Sequence, residues 1–309
     1  MTTLLLTHPA CARHDPGAWH PERPARLGAV VQALQQPSFE ALQWREAPRA
    51  SLEAIRLAHP GDFAERVLAL IPEEGHAGVD VDTTVSPDSG EAALRAAGAL
   101  IAGVDAVVGG EASTAFCAVR PPGHHAEPDV AMGFCLFNNV AIAARHAQTT
   151  HGLTRIAVVD FDVHHGNGSQ AMFWDDAGVF FASSHQYPLY PGTGRREERG
   201  AHGQIVNAPL APGSGSELFR LAWSEIILPS LDRFAPELVL VSAGFDAHLL
   251  DPLANLELGE ADYAWVTGEL KRLAAKHAKG RMVSTLEGGY HLEALAASAA
   301  AHVKALMDA

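Results

Sequence analysis

The chain has 309 residues, 48% of them hydrophobic and 19% charged, with 28 glycines and 19 prolines. This composition excludes disorder, collagen and coiled coil. A formal net charge of −14 repels phosphate backbones and anionic lipid, so no nucleic-acid or membrane partner is expected.

At this length folding removes roughly three quarters of the unfolded chain's surface from water, so the core needs no staple. Cys11, Cys117 and Cys135 are odd in number and lack a CxxC spacing, which excludes a disulfide framework or a four-Cys zinc site and points to a reducing cytoplasm. Residues 1–6 are apolar without a basic flank, and no 18-residue apolar run follows; neither a signal peptide nor a membrane span is expected. The unusual number is 17 histidines, which suits metal or proton chemistry.

In chain order, short apolar runs at 3–6, 114–119, 155–159, 179–182, 238–241 and 282–286 read as buried strands. Between them, helical apolar spacing at 27–34, 91–108, 140–146, 218–234, 261–277 and 292–307 reads as covering helices. Strands alternating with helices imply an α/β fold with a parallel sheet clothed on both faces. Residues 72–88 are the nearest thing to a boundary, but the region before them is too short and strand-poor to fold alone, so 1–309 is one domain. The RREER run at 195–199 follows a Pro-Gly-Thr-Gly turn and reads as a solvated loop.

Polar residues gather where these strands end, the edge at which parallel sheets bind ligands. Arg120 to His125 follow the second run, Asp160 to Asn167 the third, Gly244 to Asp246 the fifth and Glu287 to Tyr290 the sixth. Asp162 and His164 are two apart, so on extended backbone their side chains share a side and can grip one ion. Asp246 supplies a third ligand. Two carboxylates and an imidazole leave a position open for water or substrate, and mixed N and O donors suit Zn²⁺ first, with Fe²⁺ or Mn²⁺ behind. An isolated DxH is more often a cap or a satisfied core pair; the three other strand ends argue for the metal.

Adjacent His124 and His125 need a bend at Gly123 to turn both rings to one cavity, and glycine supplies that freedom. They can serve as general base and acid if Asp160 and Asn167 orient them. Tyr290 follows two glycines that allow a mobile turn, and its phenol can donate to an oxyanion. Together this is equipment for metal-assisted amide hydrolysis.

RPPGHHA at 120–126, GFCLFNNVA at 133–141, DFDVHHGNGSQ at 160–170, GFDAH at 244–248 and LEGGY at 286–290 resemble the zinc-dependent histone deacetylase superfamily, its bacterial class II-like amidohydrolases above all. HPERP at 20–24 and YPGTG at 190–194 extend the likeness. The resemblance implies a single arginase/deacetylase-like domain with an eight-stranded parallel sheet, and zinc (Fe²⁺ as alternative) held by Asp162, His164 and Asp246. It further implies that His125 shuttles the proton, that His124 with Asp160 helps electrostatically, and that Tyr290 polarises the scissile carbonyl. Asn167 stands where class I members have Asp, which should leave His125 less basic.

By the same matching, Gly133, Phe134 and Tyr190 wall a narrow acyl-lysine channel, and Asp160, Asp162, His164, Ser183 and Ser184 form a structural K⁺ site. The family often has Phe where this chain has Tyr190, which makes the channel more polar. Cys135 is expected to be a buried packing thiol. Leu253, seven residues after Asp246, falls on a loop at the channel mouth, where polyamine-deacetylase-like members carry a Glu. The implied substrates are Nε-acyl-lysine, or else acetylpolyamines or another small acetamide, and relatives commonly form dimers or tetramers. Two other functions are weighed. A binuclear manganese ureohydrolase needs a carboxylate two residues past His164, where Gly166 stands. A metal-binding sensor or scaffold without turnover has no use for Tyr290 with His124 and His125.

Overall fold

The structure is a computed structural model and describes residues 2–308. Its strands are β1 (Thr3–Thr7), β2 (Gln43–Glu46), β3 (Ala77–Gly78), β4 (Thr84–Val85), β5 (Thr114–Cys117), β6 (Ile156–Asp160), β7 (Val179–Gln186), β8 (Ile205–Leu210), β9 (Leu238–Ala243) and β10 (Met282–Leu286). Eight of them form one sheet in the order β2-β1-β5-β10-β9-β6-β7-β8, and every pair in it is parallel. Parallel neighbours need crossovers, and helices such as Ser89–Val108, Asn139–His151 and Glu260–His277 supply them, while Leu292–Met307 follows the last strand and packs on Glu260–His277. An eight-stranded parallel sheet with helices between its strands is the α/β architecture expected.

All residues of β6, β9 and β10 are buried, which explains their unbroken apolar runs: helices cover both faces, so no position alternates toward water. The two strands of this sheet not expected from sequence, β2 and β8, are its edges. β2 reads Gln-Trp-Arg-Glu and is largely exposed. β8 contains Pro209, which lacks a ladder donor and is tolerated where one side of a strand is unpaired.

The helix expected over 218–234 is a continuous helical rod, Ser216–Ala222 and Leu228–Phe234 joined by a π-helical turn at Trp223–Ile227. Pro229 has no N–H to donate and its ring presses on the preceding turn, and the wider turn relieves both. Residues 72–88 hold two short strands. Their short antiparallel pair, β3 with β4, carries Asp82 and Thr83 to the site described next. Among the described residues no helix is long and apolar enough to cross a membrane.

Candidate active site

Asp162, His164 and Asp246 converge just beyond the carboxyl ends of β6 and β9. All three are buried, and one ligand atom from each lies within 4.8 Å of the other two. His164 Nδ1 is 3.1 Å from Asp162 Oδ1 and 3.1 Å from Asp246 Oδ2. Burial disfavours charge on His164, but the two carboxylates outweigh it and raise its pKa to about 10. Backbone N–H groups take the other lone pairs: Val163 donates to Asp246 Oδ1 at 2.9 Å, and Gly288 to Asp162 Oδ2 at 2.8 Å.

The triad is a cradle that glycines keep open. A Cβ on Gly244 would sit 2.0 Å from Asp162 Oδ2, and one on Gly288 would sit 2.1 Å from Asp246 Oδ2. Two carboxylates and one imidazole, buried, convergent and without a Lys or Arg among their polar contacts, fit a divalent ion.

His124 and His125 lie side by side, with ring centroids 4.0 Å apart. The reason for Gly123 differs from the bend expected: its φ lies outside the left-handed region, and the constraint is space, since a Cβ would meet Asn139 N at 2.6 Å. Each ring has its own orienter. His124 Nδ1 is 2.9 Å from Asp160 Oδ2, and His125 Nδ1 is 2.7 Å from Asn167 Oδ1. The two histidines are therefore unlike. Burial opposes charge on both; the Asp160 carboxylate overcomes it and raises His124 well above the usual range, whereas His125, burdened also by charge on His124 and His164, lies well below it.

Tyr290 is buried, and burial raises its phenol well above the ordinary range, partly opposed by Arg26. It remains a donor at neutral pH. The loop that carries it is pinned, not mobile: Gly288 N–H is held by Asp162, Tyr290 N–H donates to Asp251 Oδ2 at 2.7 Å, and Arg26 donates to the carbonyls of Glu287 and Gly289. The Arg26 guanidinium lies 4.8 Å over the Tyr290 ring. Arg26 also pairs with fully buried Glu22 at 2.9 Å, and Glu22 accepts from Arg120 as well.

Gly133 and Phe134 both have positive φ, 57° and 67°. This turn presses Gly133 against the His125 ring, where a Cβ would come within 2.5 Å of Cδ2. Their backbone N–H groups donate to Asp82 Oδ1 and Thr83 Oγ1. Tyr190 meets His125 edge to face with centroids 5.1 Å apart, and Phe134 lies 6.0 Å from the Tyr290 ring. Ser183 stands in register opposite Asp160, and the Ser184 hydroxyl accepts from Trp223 Nε1 at 3.0 Å. Leu253 is half-buried, its N–H donating to Asp251 Oδ1 at 3.0 Å. Cys135 is buried as a thiol, its pKa pushed up by burial.

Five residues support the site in roles that position alone does not assign, among them Glu287, which stands directly after β10. Glu127 orients Asn167, accepting from its Nδ2 at 2.8 Å. Glu287 Oε2 accepts from Gly123 N–H at 2.7 Å and its Oε1 from Ser242, and burial raises its pKa to about 7. Asp251, Arg26 and Asp82 hold the loops named above. Their signals in the sequence are the acidic residue two past His125, the Glu of LEGGY and the Arg two past HPERP, none diagnostic without contacts.

A parallel α/β sheet with a buried carboxylate–imidazole triad, paired histidines and a buried tyrosine at its carboxyl edge defines a hydrolase of the metal-site class. Residues 20–306 match the histone deacetylase domain family, and the chain belongs to it; it is a deacetylase. It is 44% identical over 312 residues to "Histone deacetylase 14, chloroplastic" of Arabidopsis thaliana, covering 93% of this chain and 73% of that one. It is 41% identical over 286 residues to the "Histone deacetylase-like amidohydrolase" of Pseudomonas aeruginosa, covering 91% and 74%. Its fold superposes on the crystal structure of the HDA15 HD domain with a TM-score of 0.94 at 34% identity, covering 99% of this chain and 88% of that one.

Proposed function

We propose that this protein, as one catalytic domain in a reducing cytoplasm, removes acyl groups, acetyl foremost, from Nε-acyl-lysine side chains by zinc-dependent hydrolysis. The observation that carries the reading is the unlike pair of histidines beside the triad: one tied to a carboxylate, one to a neutral amide.

Asp162, His164 and Asp246 would hold zinc. Bound there, the ion supplies a Lewis acid that makes water nucleophilic near neutral pH. Asn167 Oδ1 can only accept, so His125 carries its proton on Nδ1 and presents an unprotonated Nε2 to the cavity. That nitrogen takes the proton of the attacking water and returns it to the leaving amine. His124, kept cationic by Asp160, stays charged through the cycle and stabilises the developing negative charge. Tyr290 donates its hydroxyl proton to the substrate carbonyl oxygen, strongest when that oxygen becomes an oxyanion.

Phe134, Tyr190 and Gly133 line the aliphatic stem of the substrate. Leu249 and Leu250, 59% and 51% exposed, extend with Leu253 an apolar rim suited to that stem and its flanks. Asp160, Asp162, His164, Ser183 and Ser184 would hold a structural K⁺. The test is acetate release from an acetyl-lysine peptide by zinc-loaded protein, abolished by a strong chelator and restored by Zn²⁺ or Fe²⁺. Full turnover by protein shown to be metal-free would overturn the reading.

A further inference from the structure

Helix Ser89–Val108 runs beside helix Asn139–His151, and near their carboxyl ends three metal-ligating side chains meet outside the active site. His146 Nε2 lies 2.6 Å from Asp105 Oδ1 and His151 Nε2 lies 2.7 Å from the same oxygen. We propose that Asp105, His146 and His151 form a second site for a divalent transition ion, Zn²⁺ in particular.

Two histidines five apart lie about 140° apart around an ideal helix and would not ordinarily share a target. They do so here because His151 is the last helical residue, followed by Gly152 at φ 65°, and its ring turns back to within 5.5 Å of the His146 ring. All three ligand atoms lie within 4.8 Å of one another. Tetrahedral zinc with bonds near 2.0–2.1 Å spaces its ligands roughly 3.3 Å apart, so each ring need retreat by less than about 1 Å.

Two imidazoles and a carboxylate suit Zn²⁺ and leave a position for water. The Thr150 hydroxyl oxygen is 3.2 Å from His146 Nδ1 and can accept a hydrogen bond from Nδ1–H when Nε2 binds an ion. The side chains are 13%, 22% and 49% exposed for His146, His151 and Asp105, so the site is open to solvent. Among the described residues no Lys or Arg pairs with Asp105, whose partners are these two histidines. The chain's charge of −14 raises the local concentration of cations.

The site is separate from catalysis. Asn138 and Asn139, at the other end of the same helix, brace the loop before and after His124 and His125, and His151 lies roughly 18 Å further along the axis. An ion here would clamp two helices together without touching the reaction.

Purified full-length protein is equilibrated by dialysis against 50 µM free Zn²⁺ at pH 7.5, and bound zinc is counted per chain. The wild type should hold one ion more than His146→Gln/His151→Gln, whatever the active site retains, and Asp105→Asn should lose the same ion. Deacetylation of an acetyl-lysine peptide should agree within twofold, which also reports that the variants fold. Excess Zn²⁺ should raise the melting temperature of the wild type more than that of the variants. Equal zinc content in wild type and folded variants would overturn the proposal, leaving an ordinary ion-paired surface cluster.

Discussion

Asn167 holds His125 with an acceptor that cannot take its proton: Oδ1 lies 2.7 Å from the ring's Nδ1, while Nδ2 donates to Glu127 at 2.8 Å and so fixes which end of the amide faces the histidine. A neutral amide leaves the imidazolium without a counter-charge, in keeping with the low basicity of His125. Asn167→Asp should therefore make His125 more basic. The acid limb of kcat/KM should move up by about one pH unit or more. The new carboxylate abuts Glu127, and two such groups share a proton, so Asn167→Asp/Glu127→Gln should shift the limb further. Limbs that coincide with the wild type would show that Asn167 does not govern the base.

Asp162 and Asp246 are both buried and close on His164, with His124 Nε2 3.9 Å from Asp162 Oδ1. Without an ion the triad carries a net negative charge even with His164 protonated, and buried charge without full compensation is costly. Chelation should lower the melting temperature as well as abolish turnover. Asp246→Asn keeps the oxygen that accepts from Val163 N–H while removing the charge, so it should retain the fold and lose most bound zinc. Wild-type metal content in that variant would remove Asp246 from the ligand set.

Tyr290→Phe deletes one hydroxyl and leaves the ring beneath Arg26. If the hydroxyl stabilises an oxyanion, kcat should fall by about 10² to 10³, the range for losing one such donor, with zinc content unchanged. A loss under threefold would assign Tyr290 to packing.

The central strands and the ligand triad were legible in the sequence because burial on both faces writes an unbroken apolar run, and catalysis places polar residues directly after it. β2 and β8 were not, since an edge strand needs neither feature: β2 reads Gln-Trp-Arg-Glu and is largely exposed, and β8 sets Asn207 and Pro209 among its apolar residues. Local spacing shows that His124 and His125 share a region; it cannot show that one meets a carboxylate 36 residues on and the other an amide 42 residues on. The sequence marks the glycines without their full reason: a Cβ on Gly123 would strike Asn139 N, and the LEGGY turn is strapped at several points. Glu127, Asp251 and Arg26 act through tertiary contacts alone.

A buried histidine outside the site sets a pH dependence. His59 Nε2 accepts from Asn138 N–H at 2.8 Å, so this ring must be neutral, and burial lowers its pKa to about 4. In the unfolded chain it returns to about 6.5, so between those values the unfolded state binds the extra proton. The stability it contributes is full above about pH 6.5 and falls by up to about 1.4 kcal/mol per unit as pH drops toward 4. His59→Gln has no such titration. Urea unfolding should show the variant less stable than wild type at pH 7.5 and the gap narrowing below pH 6.5; a gap constant from pH 7.5 to 5 would show that His59 is not held neutral.

Selectivity among amines turns on the loop after Asp246. Asp251 accepts from Leu253 N–H through one oxygen and from Tyr290 N–H through the other, so the position of the rim residue is tied to that of the proposed oxyanion donor. Leu253, with exposed Leu249 and Leu250 nearby in the chain, offers an apolar surface to the stem and flanks of an acyl-lysine and no Coulomb attraction to the second ammonium of a free polyamine. A partly desolvated carboxylate near that ammonium contributes a few kcal/mol at an effective dielectric of about 20. Acetyl-lysine peptides should therefore exceed acetylspermidine in kcat/KM, and Leu253→Glu should shift the ratio toward the polyamine by about tenfold or more. Because the new side chain leaves the Leu253 N–H bond to Asp251 in place, activity on the peptide should fall far less than the ratio moves. A wild-type preference for acetylspermidine, or a ratio unmoved by Leu253→Glu, would refute this account of the rim while leaving the triad and the paired histidines untouched.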